Sequence, residues 1–375
     1  MRPSFLRYCL SLVPECSGIL LCLGFFLLGG CAAQSEATPA TTQTAHKAAQ
    51  TPAASAETLP EIWQALGKRL TADNLYAADL DDIFRRLDTP SQDPMGRKVQ
   101  ELYRNAFTPP SPPPPPGTPA KTPRYINTNV VNEGNAALCR QFLIDNEQPF
   151  ARAETLYGVP RDIAVSLLFV ETRLGEYLGK NDVFYTLASM ASSRHPDQIP
   201  LWLEQLENPE GRLDWIQERM EQRSDWAYKE LTAFIRYARA NNFQLLSVPG
   251  SVYGAMGLCQ FMPSNLLPYG ADGNGDSVIN LFIADDAIAS LCNYLAQNGW
   301  KPGLSRADRH AALKRYNRLN IYANNILCLA DLVRGEAIGK PVIPGQPSKS
   351  AAKKAKKKPA KGATKSPAKS TTKKK

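Results

Sequence analysis

The apolar pattern between positions 124 and 340 constrains this chain most, because it repeats at α-helical spacing and almost nowhere alternates as strands do. The helical patterns cover residues 136–156, 160–177, 213–222, 227–240, 286–297, 307–316 and 321–334. A segment of this length can bury a core of its own. The sequence therefore predicts one all-α domain over residues 124–340.

Four further segments flank this domain. Residues 31–58 are rich in Ala, Thr, Gln and Ser and predict a flexible tether, whereas 59–107 predicts a small helical unit that packs on something larger. Residues 108–123 contain a proline run, typical of a spacer or surface loop, or of a ligand for a proline-binding module. Residues 341–375 predict a disordered tail.

The tail accounts for the basic charge of the chain. From Lys349 to Lys375 it has 12 lysines and no acidic residue, and the net charge of +9 becomes −3 without them. Such a tail can bind nucleic acid, but export would place anionic lipid, lipopolysaccharide and peptidoglycan within reach instead. We expect an anionic envelope polymer as its partner, or no fixed partner, and do not expect nucleic acid.

Residues 1–30 have the features of a bacterial signal peptide. Basic residues precede an apolar run at 19–28, which is too short to span a bilayer. The stretch from Leu28 to Cys31 resembles a lipobox, so we expect Cys31 to carry lipid; the alternatives are an uncleaved anchor and ordinary secretion. Ala32 resembles the sorting pattern of outer-membrane lipoproteins, which predicts a lipid-anchored protein of the bacterial envelope that faces the periplasm.

Cysteine and histidine usage argues against a zinc site or a thiol catalyst. The sequence has no CxxC pair, and its three histidines stand apart. An oxidising periplasm permits disulfides among the cysteines of the folded part, but spacing does not choose their pairing. Buried free thiols are the alternative. The cysteines in question are Cys139, Cys259, Cys292 and Cys328.

Glu171 lies on the apolar face predicted for residues 160–177. That face carries apolar residues at helical spacing, namely Ile163, Leu167, Val170 and Leu174. A carboxylate among them is costly unless it is paired or protonated, and burial raises its pKa toward the range that a general acid needs. The alternative is a structural Glu at the edge of the face that reaches water or pairs with an arginine.

Two segments have the mixture of side chains that sugar sites use. The glycine-rich stretch 251–264 combines a hydroxyl, an aromatic ring, a thioether and an amide, and its candidate ligands are Ser251, Tyr253, Met256, Gln260 and Phe261. The second stretch, 315–322, offers Tyr316, Asn317 and Tyr322. The alternatives are a glycine-rich turn between core helices and an Asn helix cap beside half-buried tyrosines.

A third segment predicts an EF-hand-like calcium loop. Oxygen ligands stand at loop positions one, three, five and seven, the last a backbone carbonyl, and a later aspartate can close a lengthened loop. The ligands would be Asp272, Asn274, Asp276, Val278 and Asp286. Ser277 replaces the usual Gly at position six, and Ile283 stands where the closing Glu is expected. A solvated turn with Asp285 or Asp286 capping the next helix is the alternative.

Six short motifs occur in order between residues 135 and 333. They are YGVP at 157–160, VETRLG at 170–175, GAMG at 254–257, QFMPS at 260–264, INL at 279–281 and YN at 316–317. Together they resemble the membrane-bound lytic murein transglycosylase B family, and residues 59–107 are similar, more weakly, to its N-terminal helical part. The resemblance implies a lysozyme-like helical catalytic domain over 124–340 with no organic cofactor.

The resemblance also implies roles for individual residues. Glu171 would be the single catalytic acid and base, and the glycan cleft would contain Ser251, Gln260, Phe261, Asn317 and Tyr322. The family's calcium loop is elongated and closes at its fifteenth position, where Asp286 stands. The chain departs from the family pattern at Tyr253, Cys259, Asn265 and Ser277.

The function implied is non-hydrolytic cleavage of the MurNAc-β-1,4-GlcNAc bond of peptidoglycan, which leaves 1,6-anhydro-MurNAc ends. Ordinary glycosidases use two carboxylates, whereas this chain offers one clear candidate, Glu171. The alternatives are a hydrolytic muramidase with a second carboxylate and a non-catalytic peptidoglycan-binding lipoprotein. Peptidoglycan glycan strands are the expected partner, together with the membrane through the lipid on Cys31.

Overall fold

A computed structural model describes residues 56–109 and 125–343. The predicted signal peptide, the lipidation site Cys31, nearly all of the tether, most of the proline-rich linker and the lysine-rich tail beyond residue 343 lie outside the described residues. The described chain begins with a 3-10 turn, Ala56–Thr58, in which Ala56 is buried. Regular structure therefore starts inside the segment predicted as tether.

Thirteen α-helices account for most of the described residues, which confirms the all-α prediction. They are α1 (Glu61–Ala72), α2 (Ala78–Arg86), α3 (Asp93–Phe107), α4 (Glu133–Asp145), α5 (Glu147–Tyr157), α6 (Arg161–Thr172), α7 (Val183–Ser192), α8 (Pro200–Leu203), α9 (Leu213–Ala240), α10 (Leu266–Tyr269), α11 (Ala284–Gln297), α12 (Arg306–Tyr316) and α13 (Asn320–Val333). Two short strands, β1 (Asn181–Asp182) and β2 (Pro249–Gly250), pair antiparallel. No helix in the described ranges has the length and apolar character needed to cross a membrane.

Helix α6 runs through the core of the main domain. Its residues from Asp162 to Phe169 are all buried, because the helix is apolar on nearly every side and packs against α4, α5, α11 and α13. Helix α13 is equally enclosed, with eleven of its fourteen residues buried. The packing of these two helices brings the end of α6 close to the start of α13.

The small N-terminal unit packs on the main domain and shares its core. Trp63 and Phe84 have ring centroids 5.4 Å apart, and Phe84 lies 5.6 Å from Phe184 of α7. A second, smaller apolar cluster joins α3 to α9 through Met95 and Met220. As expected for its size, this unit gains its stability by burying apolar area against a larger body.

Three predicted helix boundaries differ from the structure. The pattern at 136–156 forms two helices, because Asn146 breaks the run and its side chain donates to the Phe142 carbonyl. The patterns at 213–222 and 227–240 form the single helix α9. Helix α6 ends at Thr172, five residues before the end of the predicted pattern 160–177, because Arg173 and Leu174 adopt left-handed conformations with φ of 49° and 64°.

The chain after α13 is held against the domain as an extended strap, residues 335–343. Asn324 and Val342 exchange two hydrogen bonds of 2.8 and 3.1 Å through the Asn324 amide and the Val342 backbone. The Asp331 carboxylate accepts from the Gly339 backbone at 2.8 Å. The lysine-rich tail therefore follows from a point that is fixed beside α13.

The four cysteines of the described chain are free and buried. Burial raises the pKa of each thiol above its ordinary value, to about 12 for Cys139 and further for Cys259 and Cys292. Thiols of this kind are poor nucleophiles. The sequence left disulfides and buried free thiols open, and in the structure the four cysteines are buried free thiols.

Candidate active site

Glu171 lies in the last turn of α6, where it is partly buried. Tyr322, near the start of α13, donates its hydroxyl to Oε1 of Glu171 over 2.5 Å. Burial raises the pKa of Glu171 to about 7, and the hydrogen bond from Tyr322 opposes that rise. A carboxyl group with this pKa is close to half protonated at neutral pH, so it can both give and take a proton.

No second carboxylate acts on Glu171 within the described parts of the chain. The shift in its pKa is accounted for by burial and by Tyr322. A neighbouring carboxylate would raise the pKa further by repulsion, as it does in two-carboxylate sites. The geometry therefore offers one titratable acid and one phenol at this position.

The glycine-rich loop closes over the end of α6. Met256 and Phe261 exchange backbone hydrogen bonds of 2.9 and 3.1 Å, which folds residues 257–260 into a tight tip. Thr172, the residue after Glu171, donates its hydroxyl to the Leu258 carbonyl at 2.8 Å. Tyr316 donates its hydroxyl to the carbonyl of Cys259. The tip is thus attached to the end of α6 and to the end of α12.

Gly257 is required at the tip of this loop. Its φ is +73°, and a Cβ added there would lie 2.4 Å from the Leu281 Cβ and 2.7 Å from the Leu281 carbonyl oxygen. Side chains rarely adopt that conformation, and the space is already filled by backbone. The adjacent Leu258 amide donates to the same Leu281 carbonyl at 2.9 Å, so the close approach keeps the tip in place.

Three tyrosines, Tyr322, Tyr316 and Tyr294, form a row of aromatic rings that begins beside Glu171. The rings of Tyr322 and Tyr316 are nearly parallel, with centroids 6.4 Å apart, and Tyr294 stands edge-on to Tyr316 at 4.9 Å. Burial, followed by the neighbouring acidic groups, raises the pKa of Tyr316 and Tyr322 well above the ordinary value. Both phenols therefore keep their protons and act as donors at neutral pH.

The predicted cleft residues fall into two groups. Ser251, Tyr253, Gln260, Tyr316 and Asn317 are partly exposed, whereas Met256, Phe261 and Tyr322 are buried, at 0%, 1% and 7% exposure. The sequence predicted that all eight contact glycan, and the structure turns the side chains of the second group toward the protein interior. Tyr322 instead contacts Glu171, and Phe261 packs behind the aromatic row at 6.0 Å from Tyr316.

The partly exposed cleft residues form hydrogen bonds within their own loops and keep further donor groups for a ligand. Ser251 Oγ accepts from the backbone amides of Tyr253 and Ala255 at 3.3 and 3.0 Å. Asn317 Oδ1 accepts from the Leu319 amide at 3.2 Å, and Gln260 donates to the Gly257 carbonyl at 3.0 Å. The Ser251 hydroxyl proton and the Asn317 amide group remain available as donors to a ligand.

Sequence reasoning missed Glu230 and Tyr294. Glu230 of α9 is 4% exposed, and its two oxygens accept from the amide and the hydroxyl of Ser264, both at 2.9 Å, so it fixes the far end of the glycine-rich loop. Both residues stand at helical spacing among apolar neighbours, and this pattern predicts residues of the hydrophobic core. Their place at the site depends on which distant segments pack together, and the sequence pattern does not show that.

The loop predicted to bind calcium folds around its own carboxylates. Asp272 accepts from the backbone amides of Gly275 and Ser277, at 2.6 and 2.7 Å. Asp286 is fully buried and accepts from the amides of Gly273 and Asn280, at 2.8 and 2.6 Å. Ser277 adopts the left-handed conformation, with φ of 69°, that the usual Gly would take.

The donor set of this loop is made of oxygens, which suits a hard cation such as calcium. Burial raises the pKa of Asp286, the two backbone amides lower it, and repulsion from Asp272 and Asp276 raises it again. Within the described chain, however, no three acidic, thiol or imidazole side chains are gathered into a ready metal cluster. The carboxylates are near enough to repel one another and are turned toward the loop backbone.

Comparison with known proteins matches residues 59–309 to the model of a transglycosylase SLT domain. A curated relative, membrane-bound lytic murein transglycosylase B of Escherichia coli (strain K12), is 34% identical over 157 residues. That alignment covers 42% of this chain, and the chain spans only 36% of the length of the relative.

Two solved structures share the fold. SltB3 from Pseudomonas aeruginosa, in complex with NAG-anhNAM-pentapeptide, has a TM-score of 0.54 at 17% identity, over 76% of this chain and 81% of that one. The Escherichia coli lytic transglycosylase Slt35, in complex with calcium, has a TM-score of 0.53 at 21% identity, over 73% of this chain and 93% of that one. At these identities the likeness shows the fold, which is that of the lysozyme-like lytic transglycosylases.

Proposed function

This chain belongs to the family of transglycosylase SLT domains, and from that premise we propose that it is a peptidoglycan lytic transglycosylase. The observation that carries the proposal is Glu171, a single carboxyl group with a pKa of about 7 that is held by Tyr322. The curated relative bears the name of a lytic murein transglycosylase, and SltB3 binds a fragment that contains anhydro-NAM, the product of such a cleavage. Both support the assignment of the reaction.

In the proposed reaction Glu171 acts first as an acid and then as a base. Protonated Glu171 gives its proton to the oxygen that links C1 of N-acetylmuramic acid to N-acetylglucosamine, and the C1–O bond breaks. The C6 hydroxyl of the same muramic acid attacks C1, and the Glu171 carboxylate takes the proton of that hydroxyl. The new C6–O–C1 bond closes the 1,6-anhydro ring, and Glu171 regains its proton.

Tyr322 orients and tunes Glu171 in this scheme. Its hydroxyl occupies Oε1, which leaves Oε2 to face the glycosidic oxygen and later the C6 hydroxyl. The hydrogen bond stabilises the carboxylate that exists between the two proton transfers. Because the nucleophile belongs to the substrate, the attack is intramolecular, and a second protein carboxylate to activate water is not needed.

The proposed glycan cleft uses the exposed members of the predicted set. Ser251, Gln260 and Asn317 would hold hydroxyl and acetamido groups, and the rings of Tyr253 and Tyr316 would pack on sugar faces. Met256 and Phe261 would shape the cleft from behind. This assignment rests on the partial exposure of the first group and the burial of the second.

Digestion of purified peptidoglycan sacculi tests the reaction. The wild-type protein should release muropeptides with anhydro ends, each lighter by one water than its hydrolytic counterpart, and Glu171→Gln should release none. Glu176→Gln is the matched control, because Glu176 is exposed and paired with Arg173 at 3.0 Å. Reducing ends would instead indicate a hydrolytic muramidase, and no release by the wild type would leave only a peptidoglycan-binding role.

We also propose a structural calcium ion in the loop 272–286. The residues that would hold it are the side chains of Asp272, Asn274, Asp276 and Asp286 with the carbonyl of Val278. The oxygen donors, the mutual repulsion of the carboxylates and the calcium complex of Slt35 support this. When bound, the ion would neutralise the carboxylates and stiffen the loop, which joins the glycine-rich tip through Leu281.

The proposed location is the bacterial envelope, with lipid on Cys31 holding the protein at the outer membrane. The signal-peptide features of 1–30 support this, as does the name of the membrane-bound relative. The tether 31–58 would give the domain reach toward the wall, and the small helical unit 59–107 and the Pro-rich linker 108–123 would lead into the catalytic domain 124–340. The lysine-rich tail 341–375 would bind anionic envelope polymers.

A further inference from the structure

The chain leaves helix α6 through a strained turn, residues 173–175, which follows Glu171 after a single residue. Arg173 and Leu174 adopt left-handed conformations with φ of 49° and 64°, and Gly175 continues at 101°. This conformation crowds the Cβ of every residue except Gly, and helices that end in this way commonly use a single Gly. Two consecutive residues with side chains therefore need contacts that hold them in place.

Thr172 holds this turn from the buried side. Its Oγ1 accepts a hydrogen bond from the Gly175 amide at 3.0 Å, and its carbonyl accepts from the Tyr177 amide at 2.9 Å. The residue is 1% exposed, so water does not compete for these groups. The Thr172 hydroxyl thus closes the strained turn back onto the end of α6.

The same hydroxyl connects the turn to the tip of the glycine-rich loop, residues 257–260. Thr172 donates to the Leu258 carbonyl at 2.8 Å, and a Cβ added at Gly175 would lie 3.5 Å from Cγ of Leu258. Gln260 adds a longer contact, from its side-chain amide to the Leu178 carbonyl at 3.4 Å. One buried hydroxyl therefore uses both its proton and a lone pair to join two segments beside the candidate catalytic group.

A hydroxyl is the group that fits position 172. Valine has nearly the same shape, but it would leave the Leu258 carbonyl without this partner, and the Gly175 amide would keep only its 3.2 Å bond to the carbonyl of residue 172. A buried polar group that loses its partner is costly, so the two segments would separate to let water reach it. That movement would displace Glu171 and hydrate it, whereas burial is what raises its pKa.

We propose that Thr172 is a positioning residue of the reaction, whose hydroxyl joins the strained turn to the loop tip, keeps the neighbouring Glu171 fixed and limits the access of water to it. This inference rests on the proposed function, because that function gives Glu171 the catalytic role. Thr172 does not touch substrate in this scheme. It acts through Glu171, since proton transfer in both directions needs the carboxyl group within about 3 Å of the reacting oxygens.

The test compares Thr172→Val with Thr172→Ser in the full chain, on soluble peptidoglycan strands. Thr172→Val should lower kcat about tenfold or more with KM nearly unchanged, because the carboxyl group is displaced while the exposed cleft residues remain. The alkaline limb of the pH profile of kcat/KM should move to lower pH, because a better hydrated Glu171 loses its proton more readily.

Two variants serve as controls. Thr172→Ser keeps the hydroxyl and should restore most of the wild-type kcat together with the wild-type pH profile. Thr232→Val should match the wild type in both, because the buried Thr232 hydroxyl donates within its own helix, to the Lys229 carbonyl at 3.0 Å.

Arg173→Gly provides a second variant in case Thr172→Val does not fold. Gly tolerates the left-handed conformation, so Arg173→Gly should raise the Tm, and the double variant with Thr172→Val should fold while its kcat stays low. A double variant with the kcat of the wild type would overturn the positioning role. A fall in kcat that leaves the pH profile in place, or that Thr172→Ser does not restore, would overturn it as well.

An NMR titration of the Glu171 carboxyl group measures the same effect without activity. The pKa of Glu171 should be lower in Thr172→Val than in the wild type and unchanged in Thr232→Val. If the wild type releases no product, the proposed function fails, and this titration alone decides whether Thr172 holds Glu171. An equal pKa in Thr172→Val and the wild type would then reject the inference.

Discussion

The Tyr322 hydroxyl lies 2.5 Å from Oε1 of Glu171, and the two residues are 151 positions apart in the chain. The contact joins the end of α6 to the start of α13, two helices of the main domain whose residues are mostly buried. Their packing fixes the hydrogen bond. The proton affinity of the candidate catalytic group is therefore set by the core itself.

Removal of the Tyr322 hydroxyl should make Glu171 harder to ionise. The hydrogen bond lowers the pKa of Glu171, so Tyr322→Phe should raise that pKa by about one unit. The alkaline limb of the pH profile of kcat/KM should move to higher pH, and kcat should fall about tenfold because the carboxylate is less well stabilised. Tyr228→Phe, a surface phenol that donates to Asp73, is the control. A profile that does not move would contradict the tuning role.

Loss of the Glu171 charge should stabilise the protein at alkaline pH. Below pH 4.5 the group is protonated in both the folded and the unfolded states. Between pH 4.5 and about 7 only the unfolded state ionises, so the folded state binds more protons and the free energy of unfolding falls as pH rises. Above pH 7 the penalty is constant.

Glu171→Gln removes this penalty and should raise the free energy of unfolding by about 3 kcal/mol at pH 8, with little effect at pH 4.5. Denaturant melts at both values of pH measure the difference. Glu176→Gln should change stability by less than about 0.5 kcal/mol at either pH, because surface ion pairs contribute little. A stability gain independent of pH would point to packing and not to the buried charge.

Asp286→Asn should destabilise the loop 272–286 and remove any response to calcium. The Asp286 carboxylate accepts two backbone hydrogen bonds, and an amide would set its own donor against one of them, at a cost of about 1–3 kcal/mol. The wild-type Tm should rise with added calcium and fall with chelator. Asp285→Asn, which breaks only a surface pair with Arg152, should respond to calcium as the wild type does. Equal wild-type melting with calcium and with chelator would exclude a structural ion.

Gly257→Ala should disable the site without touching a titratable group. The added Cβ would lie 2.4 Å from Leu281 and would have to adopt a positive φ, so we expect a loss of about 2–4 kcal/mol and a displaced loop tip. Activity per folded molecule should fall because Leu258 and Cys259 no longer meet Thr172 and Tyr316. Gly134→Ala at the start of α4, where the nearest atom is 3.4 Å away, is the control. Full activity of Gly257→Ala would show that the tip is not part of the site.

Local patterns in the sequence predicted the helices and the residue at the centre of the site. Periodicity predicted α6 and singled out Glu171 as a carboxylate on its apolar face, because both are local signals, whereas the catalytic role of Glu171 came from the family resemblance. Helix α7 was missed because eight of its ten residues are buried and leave no polar side to reveal a period. The break at Asn146 depends on a side-chain hydrogen bond that composition does not show.

The remaining parts of the site depend on contacts between distant segments. Tyr322 was expected to bind glycan, and only the packing of α13 on α6 turns its hydroxyl to Glu171. Met256 and Phe261 look like sugar-binding side chains in a glycine-rich string, yet the tight tip at 257–260 turns both inward. The sequence therefore identifies the loop that contributes to the site, but it does not show whether each side chain of that loop points to the surface or to the core.

Helix α6 ends at Thr172, one residue after Glu171. The last turn of a helix has carbonyl groups whose aligned dipoles give partial negative charge, and this charge disfavours a carboxylate placed there. The same backbone that positions Glu171 therefore opposes the loss of its proton. In the proposed cycle this field adds a small contribution to the effect of burial, and both favour the return of a proton to Glu171 before the next cleavage.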